Sequence, residues 1–156
     1  MKDFFSDKTL YFWLAVSDAS PTKVNACISH YGGIRDFYEH FAFDNKLKDV
    51  LGNSYDKLKK NLDKDFLTKE LEKIERAEIS FLTPLDEKYP KGFLELNDAP
   101  FVIFYKGRLE LLQSPCFTVV GTRNPSNYGK KMTKIFAQEL SRNGLTIVSG
   151  MATGID

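Results

Sequence analysis

The most constraining feature of this chain lies near its carboxyl end. Phe117-Thr118-Val119-Val120 is a run of β-formers closed by Gly121; a polar loop, a helical stretch over about 127–143, the stop residue Gly144 and a second β-forming run over 145–149 follow. Two adjacent strands joined through one helix pair in parallel, with a right-handed crossover. The expected class is therefore α/β, with strand 117–120 buried and Met132, Ile135, Phe136 and Leu140 forming the helix stripe that covers it. Lys130, Lys131 and Lys134 lie off that stripe.

The preceding residues, up to about 78, have a different rhythm. Ser20-Pro21 is a helix start and Gly32-Gly33 the matching stop, which brackets a helix over 22–31. Val24, Cys27, Ile28 and Tyr31 share one face of it, and Ile34, Phe37, Tyr38 and Phe41 repeat the spacing beyond the glycines. Asp65 is placed to cap a further helix with Leu67, Leu71, Ile74 and Glu78 along one stripe, and Glu72 reaches Arg76 four residues on. Residues 44–63, rich in lysine and aspartate, read as short, weakly packed helices. Strand signals begin at 79–82 and return at 101–105, so the composition changes from helical to mixed near residue 78.

With 42% hydrophobic and 28% charged residues, the chain is neither disordered nor low in complexity. It has no apolar run of membrane-spanning length, and its amino-terminal stretch lacks the layout of a signal peptide, so a cytoplasmic location is expected. Cys27 and Cys116 lie far apart with no metal-ligand spacing around them; they read as buried small apolar residues, and no metal or disulfide is expected. Trp13, His30 and His40 read as structural members of the aromatic core. The net charge of +1 hides an asymmetry. Within 121–142, Arg123, Lys130, Lys131, Lys134 and Arg142 stand against Glu139 alone.

Two loops follow the carboxyl ends of the parallel strands, the usual ligand position in an open α/β sheet. In the first, Gly121 permits a close backbone approach, Thr122 and Ser126 offer hydroxyls, Arg123 offers a planar fork suited to phosphate, and the helix start offers free N–H groups. The second is Ser149-Gly150-Met151-Ala152-Thr153-Gly154-Ile155-Asp156. Lys130, Lys131 and Lys134 occupy the first two helical turns, where the macrodipole disfavours cations by about 0.3–1 kcal/mol each when exposed. A bound phosphate backbone offsets that cost; a solvated lysine face is the other reading. Gly-Thr-Arg lacks the second glycine of a dinucleotide fingerprint, and no Walker lysine is present, so no nucleotide cofactor is expected.

Taken together, Val119-Val120-Gly121-Thr122-Arg123, then Pro125-Ser126 with Tyr128-Gly129, then the run Leu145 to Asp156 with its Ser149-Gly150-Met151-Ala152-Thr153-Gly154-Ile155-Asp156 loop resemble the DNA-processing protein A (DprA/Smf) family. Tyr89-Pro90, Asp98-Ala99-Pro100 and Phe104-Tyr105-Lys106-Gly107 look like its lead-in. The resemblance implies a small helical domain over 1–78, like a sterile-alpha-motif or helix-hairpin-helix domain, and the first part of an extended Rossmann-like domain over 79–156. It further implies a non-catalytic protein that binds single-stranded DNA, loads the RecA recombinase during natural transformation, needs no cofactor and forms a homodimer whose interface is mostly absent from this chain. Carried over residue by residue, the phosphate-binding positions are Gly121, Thr122, Arg123, Ser126, Ser149, Gly150, Ala152 and Gly154, with Lys130, Lys131 and Lys134 beside them. The sequence departs from the family at Ser17-Asp18-Ala19-Ser20-Pro21, where a glycine hairpin is usual, and it ends at the second loop, so it reads as the amino-terminal part of a longer protein. The competing function is a nucleotide-cleaving enzyme on a related fold, whose Pro-Gly-Gly-x-Gly-Thr loop is missing here.

Overall fold

A computed structural model of the chain describes residues 5–156. It divides into two compact units, one through Gly107 and one from Arg108 to Asp156.

In the first unit the core is built around α1 (Asp7–Val16). Ser6 starts this helix, its Oγ accepting the Thr9 N–H at 3.1 Å. Leu10 to Leu14 are buried without interruption, as required of a helix that is apolar all round. α2 (Pro21–Tyr31) and α3 (Ile34–Phe41) follow the expected stripes: Val24, Cys27, Ile34, Phe37 and Phe41 are buried, while Ile28, Tyr31 and Tyr38 pack at the margin. Pro21 occupies the first turn, but the Ser20 side chain makes no capping bond; its N–H instead donates to Ser54 Oγ at 3.1 Å. Gly32 ends α2 at φ +94, in the left-handed region that favours glycine.

The segment read as weakly packed forms α4 (Lys46–Leu51) and α5 (Asn53–Asn61), and it supplies Leu47, Leu51, Tyr55 and Leu58 to the core. These four residues make a single stripe that runs across the Gly52 turn. Trp13 is fully buried against them, with Nε1 donating to the Leu58 carbonyl at 3.0 Å and its ring meeting Phe41 edge-on at 5.4 Å. α6 (Lys64–Arg76) is capped by Asp63 rather than Asp65, Oδ1 accepting the Phe66 N–H at 2.7 Å. Leu67 is buried, the Glu72–Arg76 pair closes at 3.0 Å, and Glu78 leaves the stripe because the helix has already ended, its φ being +54. His30 and His40 are exposed rather than in the core; they flank Tyr31, with His40 stacked on its ring at 4.7 Å.

β1 (Ser80–Leu82) is followed by the short α7 (Lys91–Leu94) and pairs antiparallel with β2 (Ile103–Tyr105), Phe81 opposite Phe104. Phe101 and Val102, just before β2, are buried in the helical core, and the Phe81 ring lies 5.3 Å from Phe12. That packing ties the first strands to the helical unit, although the composition changes near residue 78. Between the strands, buried Thr83 donates both its N–H and its hydroxyl to Asp86 Oδ2 at 2.8 Å, and Lys8 pairs with Asp86 at 2.8 Å. Burial alone would raise the Asp86 pKa; the Lys8 and Thr83 contacts outweigh it and hold the carboxyl below its ordinary value.

The second unit opens with a 3₁₀ turn (Leu109–Gln113) and contains β3 (Cys116–Thr118), α8 (Asn127–Arg142) and β4 (Thr146–Val148). The two strands are parallel, Phe117 opposite Ile147, which makes the βαβ unit foreseen from the sequence. Its packing differs from expectation. No residue from 108 to 156 is fully buried: Cys116 is exposed, Phe117 is 48% and Phe136 59% exposed, and Ile135 is exposed as well. Two strands offer one helix too narrow a surface to cover its stripe. An open apolar groove of about 460 Å³ remains between Phe117, Val119, Val120, Phe136, Leu140 and Ile155.

Candidate functional site

The carboxyl ends of β3 and β4 bring the two glycine loops into direct contact. The second loop folds over the first: the Ile155 N–H donates to the Thr122 carbonyl at 3.2 Å, and the Gly121 N–H donates to Asp156 Oδ1 at 2.9 Å. Gly154 adopts φ +116, and a Cβ built there would lie 2.3 Å from the Thr122 carbonyl oxygen and 2.7 Å from the Arg123 Cα. Only glycine fits such an approach at that φ. Gly121 is confined by a side chain instead, since its Cβ would meet Ile155 at 2.7 Å. Ser149 fastens the base of the site, its hydroxyl lying 3.1 Å from the Val119 carbonyl and 2.9 Å from the main-chain oxygen of Asp156.

These contacts sort the foreseen residues by what they have left to offer. Gly121, Ser149, Gly150 and Gly154 are engaged in the join between loops; Asp156 Oδ2 sits 3.2 Å from the Cβ position of Gly150. Thr122 Oγ1 accepts the Asn124 N–H at 3.2 Å, and Ser126 caps α8 by accepting the Gly129 N–H at 3.1 Å, so each hydroxyl keeps its proton as a donor. The amides of Asn127 and Tyr128 stand in the first helical turn, where no intrahelical acceptor exists. Ala152 is exposed. Arg123, Lys130, Lys131 and Lys134 are exposed and, among the described residues, enter no ion pair, whereas Arg142 pairs with Glu139 at 2.5 Å. Two features escaped the sequence reading. Asp156 belonged to the quoted motif but was assigned no part, and Met151 is 92% exposed at φ +56, a backbone conformation in which a side chain is strained.

No cluster of three metal-ligating side chains occurs among the described residues, and no helix there is long and apolar enough to cross a membrane. The site is an amide, hydroxyl and cation surface without a nucleophile and base in contact.

A helical unit followed by a parallel βαβ unit with two joined glycine loops defines the class: a Rossmann-like α/β protein with cations, hydroxyls and helix amides gathered at its strand ends. Residues 80–156 match the family model of DNA recombination-mediator protein A, and the chain belongs to that DprA/Smf family. It is 43% identical over 95 residues to DNA processing protein DprA of Streptococcus pneumoniae, covering 61% of this chain and 32% of that protein. It is 41% identical over 90 residues to Protein Smf of Synechocystis, covering 55% of this chain and 23% of that one. The solved structure of the Streptococcus pneumoniae protein is similar at a TM-score of 0.70 and 30% identity, over 97% of this chain and 51% of that one. The likeness therefore includes the helical unit, and the chain spans about half of that structure and a smaller share of these relatives' full length.

Proposed function

We propose that the Arg123 loop and the start of α8 bind the phosphate backbone of single-stranded DNA, as part of a cytoplasmic, non-catalytic recombination mediator that hands the strand to RecA and acts as a homodimer in its complete form. The observation that carries this reading is the cluster of unpaired cations and unengaged donors at the strand ends, Arg123, Lys130, Lys131 and Lys134 with the Thr122 and Ser126 hydroxyls and the Asn127 and Tyr128 amides. Membership of a family described as a DNA recombination mediator supports it. Arg123 grips a phosphate through its planar fork, the helix amides add directed donors, and the lysines hold neighbouring phosphates by charge. Binding releases counterions, so affinity falls as salt rises, with a slope set by the number of phosphates neutralised. No covalent step is involved.

The test is a titration of a fluorescent oligothymidylate with the wild-type chain and with Arg123→Ala at several salt concentrations. Loss of one charge-assisted contact lowers affinity at low salt by about tenfold or more and flattens the salt slope. Binding indifferent to both salt and Arg123 would overturn the mechanism.

A further inference from the structure

Resting on the reading of the Arg123 loop as a phosphate site, we propose that Asp156 is a positioning residue for that loop and not a ligand of the nucleic acid. Its side chain is the one acidic side chain at the join between the loops, and it faces inward. Oδ1 accepts the Gly121 N–H at 2.9 Å, one residue beyond the foreseen strand and two before Arg123. Oδ2 is seated at Gly150, with 3.2 Å to the position a Cβ would take there. Its main-chain oxygen is fixed 2.9 Å from the Ser149 hydroxyl, which also reaches the Val119 carbonyl. Asp156 thus links residues of both strand ends. Its neighbour Gly154 lies against the Thr122–Arg123 backbone, and Ile155 donates its N–H to the Thr122 carbonyl at 3.2 Å.

An acidic residue beside a phosphate site needs a reason, because it repels the ligand. Here the carboxylate occupies the Gly121 amide, where a phosphate would otherwise compete to bind. The Gly121 N–H is satisfied within the protein, and the anion is left to Arg123, the hydroxyls and the helix amides. What matters at this position is an acceptor oxygen rather than a charge. Asp156→Asn retains the acceptor and Asp156→Ala removes it.

Two measurements test this on the 156-residue chain. In oligothymidylate binding, Asp156→Ala weakens affinity about fivefold through loss of one hydrogen bond that holds the loop, whereas Asp156→Asn matches or exceeds wild type because one repelling charge is gone. In amide hydrogen exchange without DNA, the Gly121 amide is protected in wild type and in Asp156→Asn and exchanges faster in Asp156→Ala, while the α8 amides stay unchanged. Tighter binding by both variants, or a Gly121 amide that exchanges as slowly in Asp156→Ala as in wild type, would overturn the positioning role. Equal binding by wild type and Arg123→Ala overturns the phosphate reading instead, and leaves the Gly121 protection standing as evidence for the join alone.

Discussion

Gly154 shows how one residue can hold a site together without touching a ligand. Its φ of +116 and the 2.3 Å approach to the Thr122 carbonyl leave no room for a Cβ against rigid backbone. Gly154→Ala is expected to destabilise the second unit by more than about 1–3 kcal/mol, since strain and steric overlap add. Hydrogen exchange at the β4 and α8 amides checks this, with faster exchange in the variant. In the helical unit, Tyr31 and Asp44 form a pair whose hydroxyl to carboxylate distance is 2.6 Å. The hydrogen bond holds the Tyr31 hydroxyl up to about 12 and the Asp44 carboxyl below its usual value. The two signs are opposite. Asp44 contributes stability that is complete above the ordinary carboxylate pKa of about 4 and is lost as pH falls through its own lower value. Tyr31 contributes stability that is complete below its ordinary pKa of about 10 and is lost as pH rises towards 12. Urea unfolding of wild type and Tyr31→Phe across pH should therefore differ most between these two limits and converge at both extremes.

At the scale of elements, α8 places three lysines where a helix least favours them. Lys130 and Lys131 each lie within one turn of Lys134, and all three face the positive end of the macrodipole without an anionic partner among the described residues. Lys130→Glu with Lys131→Glu is expected to stabilise the helix by about 1 kcal/mol and to weaken oligonucleotide binding. Thermal unfolding and the salt titration together check it; a double variant that is more stable and binds as well as wild type would show the lysines to be a solvated face. The other elements teach where sequence reading succeeds. α2, α3 and the βαβ unit were legible because capping or stop residues and apolar spacing agreed. The short helices α4 and α5 were legible as well, but their burial was not, because Leu47, Leu51, Tyr55 and Leu58 are spaced through a lysine-rich stretch and only a turn at Gly52 aligns them into one stripe. Asp63 caps α6 in place of Asp65, because the backbone at Asp63 is extended, at φ −133, and its side chain reaches forward to the Phe66 N–H.

For the whole molecule, the contrast between the two units has a measurable consequence. The helical unit encloses Leu10 to Leu14, Phe37, Phe41, Leu51 and Leu58, whereas nothing from 108 to 156 is fully buried. Amides of α1 and α3 should exchange slowest and those of β3, α8 and β4 fastest, because local opening costs least where little apolar surface is enclosed. The cysteines give a second readout. Cys27 is buried, and burial raises its thiol pKa, whereas Cys116 is exposed on β3. A thiol reagent should label one cysteine promptly under native conditions and the second only on unfolding.

By itself the sequence determined the helical start, the parallel βαβ unit and the identity of the loops, because helix signals, β-forming runs and glycine positions are local properties that neighbouring residues express. The family likeness rests on the same local order. The tertiary structure alone decided the division at Gly107, through Phe81, Phe101 and Val102 entering the helical core, and it decided which loop residues are free to act. That Gly121 and Ser149 are engaged while Arg123 is not depends on Asp156 meeting an amide 35 residues away. Such a contact exists only once two parallel strands lie side by side.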